Sequence, residues 1–291
     1  MSESTPTGRD PSTIPEDIYA LLADDNHHEV SEENVEWAGE VFKNLLRTRL
    51  QKREPKRGEA VLRFSALGKK DRQLWYEANM PEVKEKMPGK QNFKFLYGDT
   101  IEVLLLFLAR EAGHTVENTQ LGVECDGVNG SIDADIDGIL TDVKSASSYS
   151  FEKFKSGSYL FDDPFGYVAQ LSAYASALER DRAGFLVADK VHGDIAFVEF
   201  DKAYIDGNPP APRIAHLRGV INAEQPPEKC YEPVPEGKSG NLKLGIGCSY
   251  CGFKDECWKD ANGGKGLRKF VYSRGPVWLT RVLREPKVDE G

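Results

Sequence analysis

The 291-residue sequence contains no run of about 18 apolar residues, the length that would cross a bilayer as a helix, so no membrane partner is expected. Its opening residues, Met-Ser-Glu-Ser-Thr-Pro-Thr-Gly-Arg-Asp, lack the apolar stretch of a signal peptide, and the expected location is cytoplasmic. Cysteine is scarce, with five in all and three of them clustered at 248, 251 and 257. That is a poor disulfide framework and points instead to a metal site in a reducing compartment. Positive charge is also short. Thirty-eight Lys and Arg against 47 Asp and Glu leave a net charge of −9, which argues against a protein that coats duplex DNA non-specifically. A nuclease is not excluded, because metal-binding carboxylates add negative charge and a local basic patch can still hold a strand. There is no internal repeat. The 40% hydrophobic content suffices for one sizeable core plus appendages.

The polar, acidic, Pro-containing residues 1 to about 30 are expected to be partly disordered. From Glu33 to about Gln51, Val35, Trp37, Val41, Phe42, Leu45 and Leu46 recur at helical spacing. Arg47, Arg49, Lys52, Arg53, Lys56 and Arg57 then form a basic stretch that reads either as a strand-binding patch or as a solvated linker. Ser65–Asn79 looks like a loop entering a helix. Phe93–Ala112 is a long apolar helix closed by Gly113-His114, and Thr115–Cys125 reads as one strand. Pro164–Glu179 forms a second helix, and Gly184–Lys190 and Asp194–Phe200 form strands around a His192-Gly193 turn. Pro209, Pro210 and Pro212 mark a break before the cysteine segment. The order of helix, strands, helix and strands predicts an α/β core.

The stretch Gly130–Lys144 carries the most chemistry. Asp137-Gly138 is a preferred pair for a tight hairpin turn, flanked by Ile132, Ile136, Ile139 and Val143. Asp142 and Lys144 are two apart and share a strand face, and Asp133 lies across the turn within reach of the same spot. Two carboxylates and an ammonium make a poor core. They make a good place for Mg²⁺ or Mn²⁺ and a water attacking phosphorus. The bland alternative is a solvated acidic hairpin with a chance salt bridge. Glu102 lies inside the apolar helix, where it either needs a charged partner or metal or marks the exposed face. Gln170 and Tyr174, four apart, share a face of the second helix. Asp135 is a secondary candidate only, and Asp137 is assigned to the turn. Cys248-x2-Cys251-x5-Cys257 is a strong metal signal, with Cys230 as the natural fourth ligand and Cys125 read as a small buried hydrophobe.

The succession Gly98-x3-Glu102, Gly130-x2-Asp133, Asp142-x-Lys144 and Gln170-x3-Tyr174 resembles the RecB-type branch of the PD-(D/E)xK nuclease superfamily. The resemblance runs from about residue 62 to 258. It looks nearest to bacteriophage-encoded exonucleases, whose tail is matched by Tyr272-Ser273-Arg274-Gly275-Pro276-Val277-Trp278-Leu279. Glu102 stands where the branch usually has a metal-binding His, and Lys70 stands where relatives often have a cluster-binding Cys. Arg72, Trp75 and Tyr76 match an N-terminal family element.

The resemblance implies a restriction-endonuclease-like αβββαβ core. A helical N-terminal extension (1–60) would precede the core (61–222), and a C-terminal cysteine-cluster module (223–291) would follow. It implies that Glu102, Asp133, Asp142 and the carbonyl of Val143 hold Mg²⁺ or Mn²⁺, and that Lys144 orients or helps deprotonate the water and stabilises charge. Gln170 and Tyr174 would organise the site and touch the strand, and Arg72, Trp75 and Tyr76 would line a strand channel. It further implies a [4Fe-4S] cluster on Cys230, Cys248, Cys251 and Cys257, although local closure by Cys230 also suits Zn²⁺.

The expected activity is that of a metal-dependent DNA exonuclease acting on single-stranded ends in phage DNA metabolism or recombination. Its expected partners are DNA and recombination or replication proteins, and a homo-oligomer stays open. The alternatives are a structure-specific endonuclease, or a catalytically weak nucleic-acid-binding module of a recombination or packaging complex.

Overall fold

The structure is a computed structural model that describes residues 9–25, 28–51, 56–273 and 275–291. In chain order the principal elements are α1 (Ile14–Ala23), α2 (Glu32–Leu50), α3 (Asp71–Asn79), α4 (Gly89–Glu111), β1 (Val116–Glu117), β2 (Gly122–Cys125), β3 (Val128–Ser131), β4 (Ala134–Ile136) and β5 (Ile139–Ala146). They continue with α5 (Ser148–Lys155), α6 (Tyr167–Ala177), β6 (Ala183–Asp189), β7 (Ile195–Phe200), α7 (Lys202–Asp206) and α8 (Pro210–Ile221). The C-terminal part holds β8 (Val234–Pro235), β9 (Leu242–Lys243), α9 (Ile246–Ser249), α10 (Lys254–Cys257), β10 (Arg268–Tyr272) and β11 (Gly275–Arg281). The chain divides into two compact units, one of residues 1–54, 62–67 and 88–214, the other of residues 55–61, 68–87 and 215–291. α3 belongs with the cysteine-bearing unit.

The first unit is built on a five-stranded sheet in the order β1-β4-β5-β6-β7. β1, β4 and β5 pair antiparallel, β5 and β6 pair parallel, and β6 and β7 pair antiparallel. A parallel pair needs a long crossover, which α5 and α6 supply. All seven residues of β6 are buried, as befits a central strand covered on both faces. The succession α4, β1, β4, β5, α6, β6 is the expected αβββαβ order of an α/β core. Ile101, Leu105 and Ala109 recur every fourth residue of α4 and pack with Val143, Leu186 and Ala188 of the sheet. Among the described residues, no helix is long and apolar enough to cross a membrane.

Residues 9–25 of the acidic N-terminal segment are built onto the core. Asp10 accepts the Ser12 N–H, Pro15 stands in the first turn of α1, and Ile14 and Ile18, both fully buried, join the core. Burying each contributes roughly 1.5–3 kcal/mol, enough to offset the ordering of a short polar helix. His114 then ties α1 to the hairpin, its ring nitrogens 2.6 Å from Asp137 Oδ2 and 3.1 Å from Asp17 Oδ2. Thr115–Cys125 is two strands rather than one. Asn118 (φ 51°) and Gln120 (φ 57°) break it in left-handed backbone. β2 leaves the main sheet to pair only with β3. The break is tied down from Asn118, whose Nδ2 donates to Asp135 Oδ2 at 2.7 Å.

The second unit carries an antiparallel sheet in the order β10-β11-β9-β8. It has two small apolar clusters, Leu244, Cys248, Trp258 and Ala261 in one and Trp75, Tyr76 and Phe253 in the other.

Candidate active site

The hairpin turn forms as its residues demand: Asp137 (φ 49°) and Gly138 (φ 82°) are both left-handed, the requirement of the tight turn matching strand twist. The turn sets the register. Ala134 pairs with Thr141, so Asp133, one residue earlier, stands opposite Asp142. The Val143 N–H donates to Asp133 Oδ2 at 2.9 Å, which fixes that carboxylate at the strand edge. Val143 points its own side chain into the core, leaving only its backbone beside the carboxylates. Lys144 forms an ion pair with Asp142.

Two glycines explain why the helix and the hairpin can approach this spot. A Cβ on Gly98 would lie 3.1 Å from Ser145 Oγ, so the bare backbone lets α4 lean onto β5 one turn before Glu102. A Cβ on Gly130 would meet Tyr174 Oη at 2.5 Å and Phe64 Cβ at 2.7 Å. The Tyr174 ring stacks on Phe64 at 4.6 Å between centroids, and the pair closes over Gly130, three residues before Asp133. Gly130→Ala is therefore expected to cost about 1–3 kcal/mol through overpacking, measured by chemical denaturation, with a parallel loss of any activity that needs Asp133 in place.

Glu102 is half-buried on α4. Gln120 Nε2 donates to its Oε1 at 3.3 Å, Ser131 Oγ donates to Gln120 Oε1 at 3.3 Å, and the Gln120 N–H donates to the Asp133 carbonyl at 3.2 Å. Gln120 thus bridges the helix to the bend, a role no local pattern announces. Burial, and then the charges of Asp133 and Asp142, push Glu102 up to about 8. Burial and then Asp142 push Asp133 up to about 7. Burial pulls Lys144 down, but Asp142 and Asp133 outweigh it and raise the group above its ordinary value. Three carboxylates sharing one ammonium are under-compensated, a donor set that suits a hard divalent cation.

They are not drawn to a single point. Among the described residues, the only three potential ligand atoms all within 4.8 Å of one another belong to Asp189, His192 and Asp194. That group closes the β6–β7 turn: Asp189 accepts from the Val191 N–H at 2.9 Å and lies 2.8 Å from His192 Nδ1. Burial raises Asp189, but those hydrogen bonds outweigh it and hold the carboxyl down at about 2.

The remaining expected residues fall as follows. Gln170 is half-buried on α6. Tyr174 is buried, and burial pushes its phenol up to about 12, so it shapes the site from below rather than offering a face to a strand. Asp135 is committed to Arg180 Nη2 at 2.8 Å and to Asn118, not to the carboxylate group. Asp99 is largely covered and takes Arg49 through two nitrogens, Nη2 at 2.6 Å from Oδ1. Arg49 is the member of the basic stretch that reaches this region. Lys52 and Arg53 lie outside the described residues.

Arg72, Trp75 and Tyr76 belong to the second unit. Trp75 and Tyr76 are buried, Trp75 Nε1 donates to the Ala223 carbonyl at 2.8 Å, and Tyr76 stacks on Phe253 at 5.6 Å. Arg72 Nε donates to Cys257 Sγ at 3.1 Å, and Nη1 donates to the Pro227 carbonyl. The helical spacing of Trp75 and Tyr76 gave no sign of which unit would cover them.

The four cysteines of this unit lie within electrostatic reach of one another. Cys230 receives the backbone N–H groups of Arg72 and Gln73 at the start of α3, two and three residues past Lys70. Burial, more than the neighbouring thiols, pushes Cys248 up to about 12 and also raises Cys230 and Cys251, so these three are poor thiolates until a cation joins them.

No family model matches the chain, and no curated protein matches it. Among solved structures it is similar to a phage-related exonuclease from Haemophilus somnus 129PT, with 14% identity, a TM-score of 0.41, and coverage of 55% of this chain and 92% of that one. It is also similar to an alkaline exonuclease (LHK-Exo) from Laribacter hongkongensis, with 18% identity, a TM-score of 0.35, and coverage of 55% and 91%. The same exonuclease in complex with dAMP matches with 18% identity, a TM-score of 0.31, and coverage of 55% and 92%. Scores this low add nothing to the side-chain geometry.

Proposed function

We propose that this protein is a Mg²⁺- or Mn²⁺-dependent deoxyribonuclease, an exonuclease that hydrolyses phosphodiester bonds from single-stranded DNA ends. The observation that carries the proposal is the placement of Asp133 opposite Asp142, with Lys144 two residues on and the half-buried Glu102 coupled to all three. Glu102, Asp133, Asp142 and the Val143 carbonyl would hold the ion. When bound, the ion supplies Lewis acidity that makes water a better nucleophile and offsets charge on the phosphoryl oxygens.

The protein's own groups do the rest. Lys144 is held in its charged form by Asp142 and Asp133, so it acts as a fixed positive charge beside the developing negative charge, not as a base. Gln120 holds Glu102 toward the Asp133 bend. Gln170, on the same helix as Tyr174, is the polar group of that pair assigned to the strand.

The second unit is proposed to carry a [4Fe-4S] cluster on Cys230, Cys248, Cys251 and Cys257, with Zn²⁺ as the alternative. Cys230, which takes N–H groups from the first turn of α3, would supply the ligand position that Lys70 leaves without a thiol. Cys230→Ser is expected to purify without iron and sulfide and to unfold this unit at lower denaturant. The loss would be on the order of 10 kcal/mol if the metal free energy resembles that of other structural cysteine sites. Iron, sulfide and zinc analysis of anaerobically purified protein checks it.

The proposed setting is cytoplasmic phage DNA metabolism or recombination. Digestion of end-labelled single and double strands, and of a covalently closed single-stranded circle, tests the activity. Mg²⁺-dependent shortening of the linear strands with the circle left intact is expected. Cutting of the circle would make the enzyme an endonuclease, and binding without cutting would make it a strand-binding module.

A further inference from the structure

Tyr167 opens α6, and Lys144 Nζ lies 4.9 Å from the centroid of its ring. The ring is held in place from several sides. Gly166 (φ 76°) turns the chain into the helix, and Asp163 accepts the N–H groups of Gly166 and Val168 at 2.9 Å each. Phe165 and Phe154 pack against the ring at 5.6 and 6.5 Å between centroids. A half-buried aromatic fixed this firmly over an ammonium is more than a space filler.

Lys144 therefore has two anchors, the Asp142 carboxylate and the Tyr167 ring. A divalent cation affects them differently. Once Asp142 shares its charge with a metal, the ion pair weakens and the metal repels the ammonium. The ring attracts through its quadrupole and keeps that attraction when the carboxylate is engaged. We infer that Tyr167 is a positioning residue, whose ring face keeps the Lys144 ammonium in the site when Asp142 turns to metal. The inference deepens the nuclease reading and rests on it. It needs the ring and not the hydroxyl.

The test combines a structural and a kinetic readout on the full-length protein. In protein labelled with ¹³C at lysine ε-carbons, the ε-methylene signal that disappears in Lys144→Arg is expected upfield of the other lysines. It should stay there in saturating Mg²⁺ without DNA, persist in Tyr167→Phe, and return to the common position in Tyr167→Leu. On single-stranded DNA, Tyr167→Leu is expected to lower kcat roughly tenfold to thirtyfold with KM within about twofold, while Tyr167→Phe and Tyr167→Trp stay within about twofold of wild type. Wild-type protein that cuts DNA while the Lys144 signal is unshifted, or while Tyr167→Leu turns over equally fast, overturns the inference. So does a Phe variant as slow as the Leu variant. Wild-type protein that shows the shifted signal yet cuts no strand overturns the nuclease reading instead.

Discussion

Asp142→Asn and Lys144→Met are each expected to cut DNA about 1,000-fold more slowly than wild type, while binding a labelled strand within a few-fold of it. The two substitutions act on different sides of one balance. Asp142 faces Asp133 across the hairpin and carries the pair with Lys144, so Asn would remove a proposed metal ligand and leave the ammonium without its carboxylate. Lys144→Met keeps the length of the stem and all three carboxylates but removes the fixed positive charge. One well-placed donor of this kind is worth roughly 3 kcal/mol in the transition state. Binding should survive, because strand affinity comes from contacts spread along the backbone and not from one lysine. Steady-state rates on end-labelled strands, together with anisotropy titrations, separate the two quantities. Either variant cutting as fast as wild type would remove these residues from the reaction.

The metal-free protein is expected to lose stability as pH rises from about 4 to 8, and Mg²⁺ or Mn²⁺ is expected to restore it most at the alkaline end. Glu102 and Asp133 are both raised above their ordinary values, first by burial and then by the neighbouring carboxylates. The folded protein therefore keeps protons that the unfolded chain has already released. Their contribution to stability is whole below the ordinary carboxylate range, is lost progressively as pH climbs above it, and is gone once the folded groups ionise beside one another at about 7 and 8. A metal competes with those same protons, so its affinity rises over the same window. At a hundredfold excess over its Kd, the ion adds about 2.7 kcal/mol. Calorimetry of EDTA-treated protein with and without Mg²⁺ checks both slopes, and Glu102→Gln should flatten them. A metal-induced shift in Tm equal at every pH would contradict the coupling.

Some of this was legible in the residues and some was not, for definable reasons. Asp137-Gly138 announces its own turn, because few residue pairs accept two left-handed conformations in a row. Once the turn is set, period-two geometry puts Asp142 and Lys144 on one face and Asp133 opposite. The apolar stripe of α4 is equally local. The glycines at 98 and 130 were legible only as motif spacings, and their meaning lies in what a Cβ would strike. Gln120, Tyr167 and Arg49 act through space on partners tens of residues away, so no periodicity marks them. Ile14 and Ile18 hid in a polar composition, although two isoleucines one helical turn apart are enough to dock a short helix. Arg72, Trp75 and Tyr76 were visible as residues, but their burial around the cysteines depends on which unit α3 joins.

The most direct measurement is the anomalous scattering of Mn²⁺ in crystals of the wild-type protein. The account predicts a peak among Glu102, Asp133 and Asp142, with metal–oxygen distances of roughly 2.0–2.2 Å as those carboxylates close on the ion, and no peak there in Asp142→Asn. Manganese bound at the Asp189, His192 and Asp194 turn, with nothing between the helix glutamate and the hairpin aspartates, would contradict it.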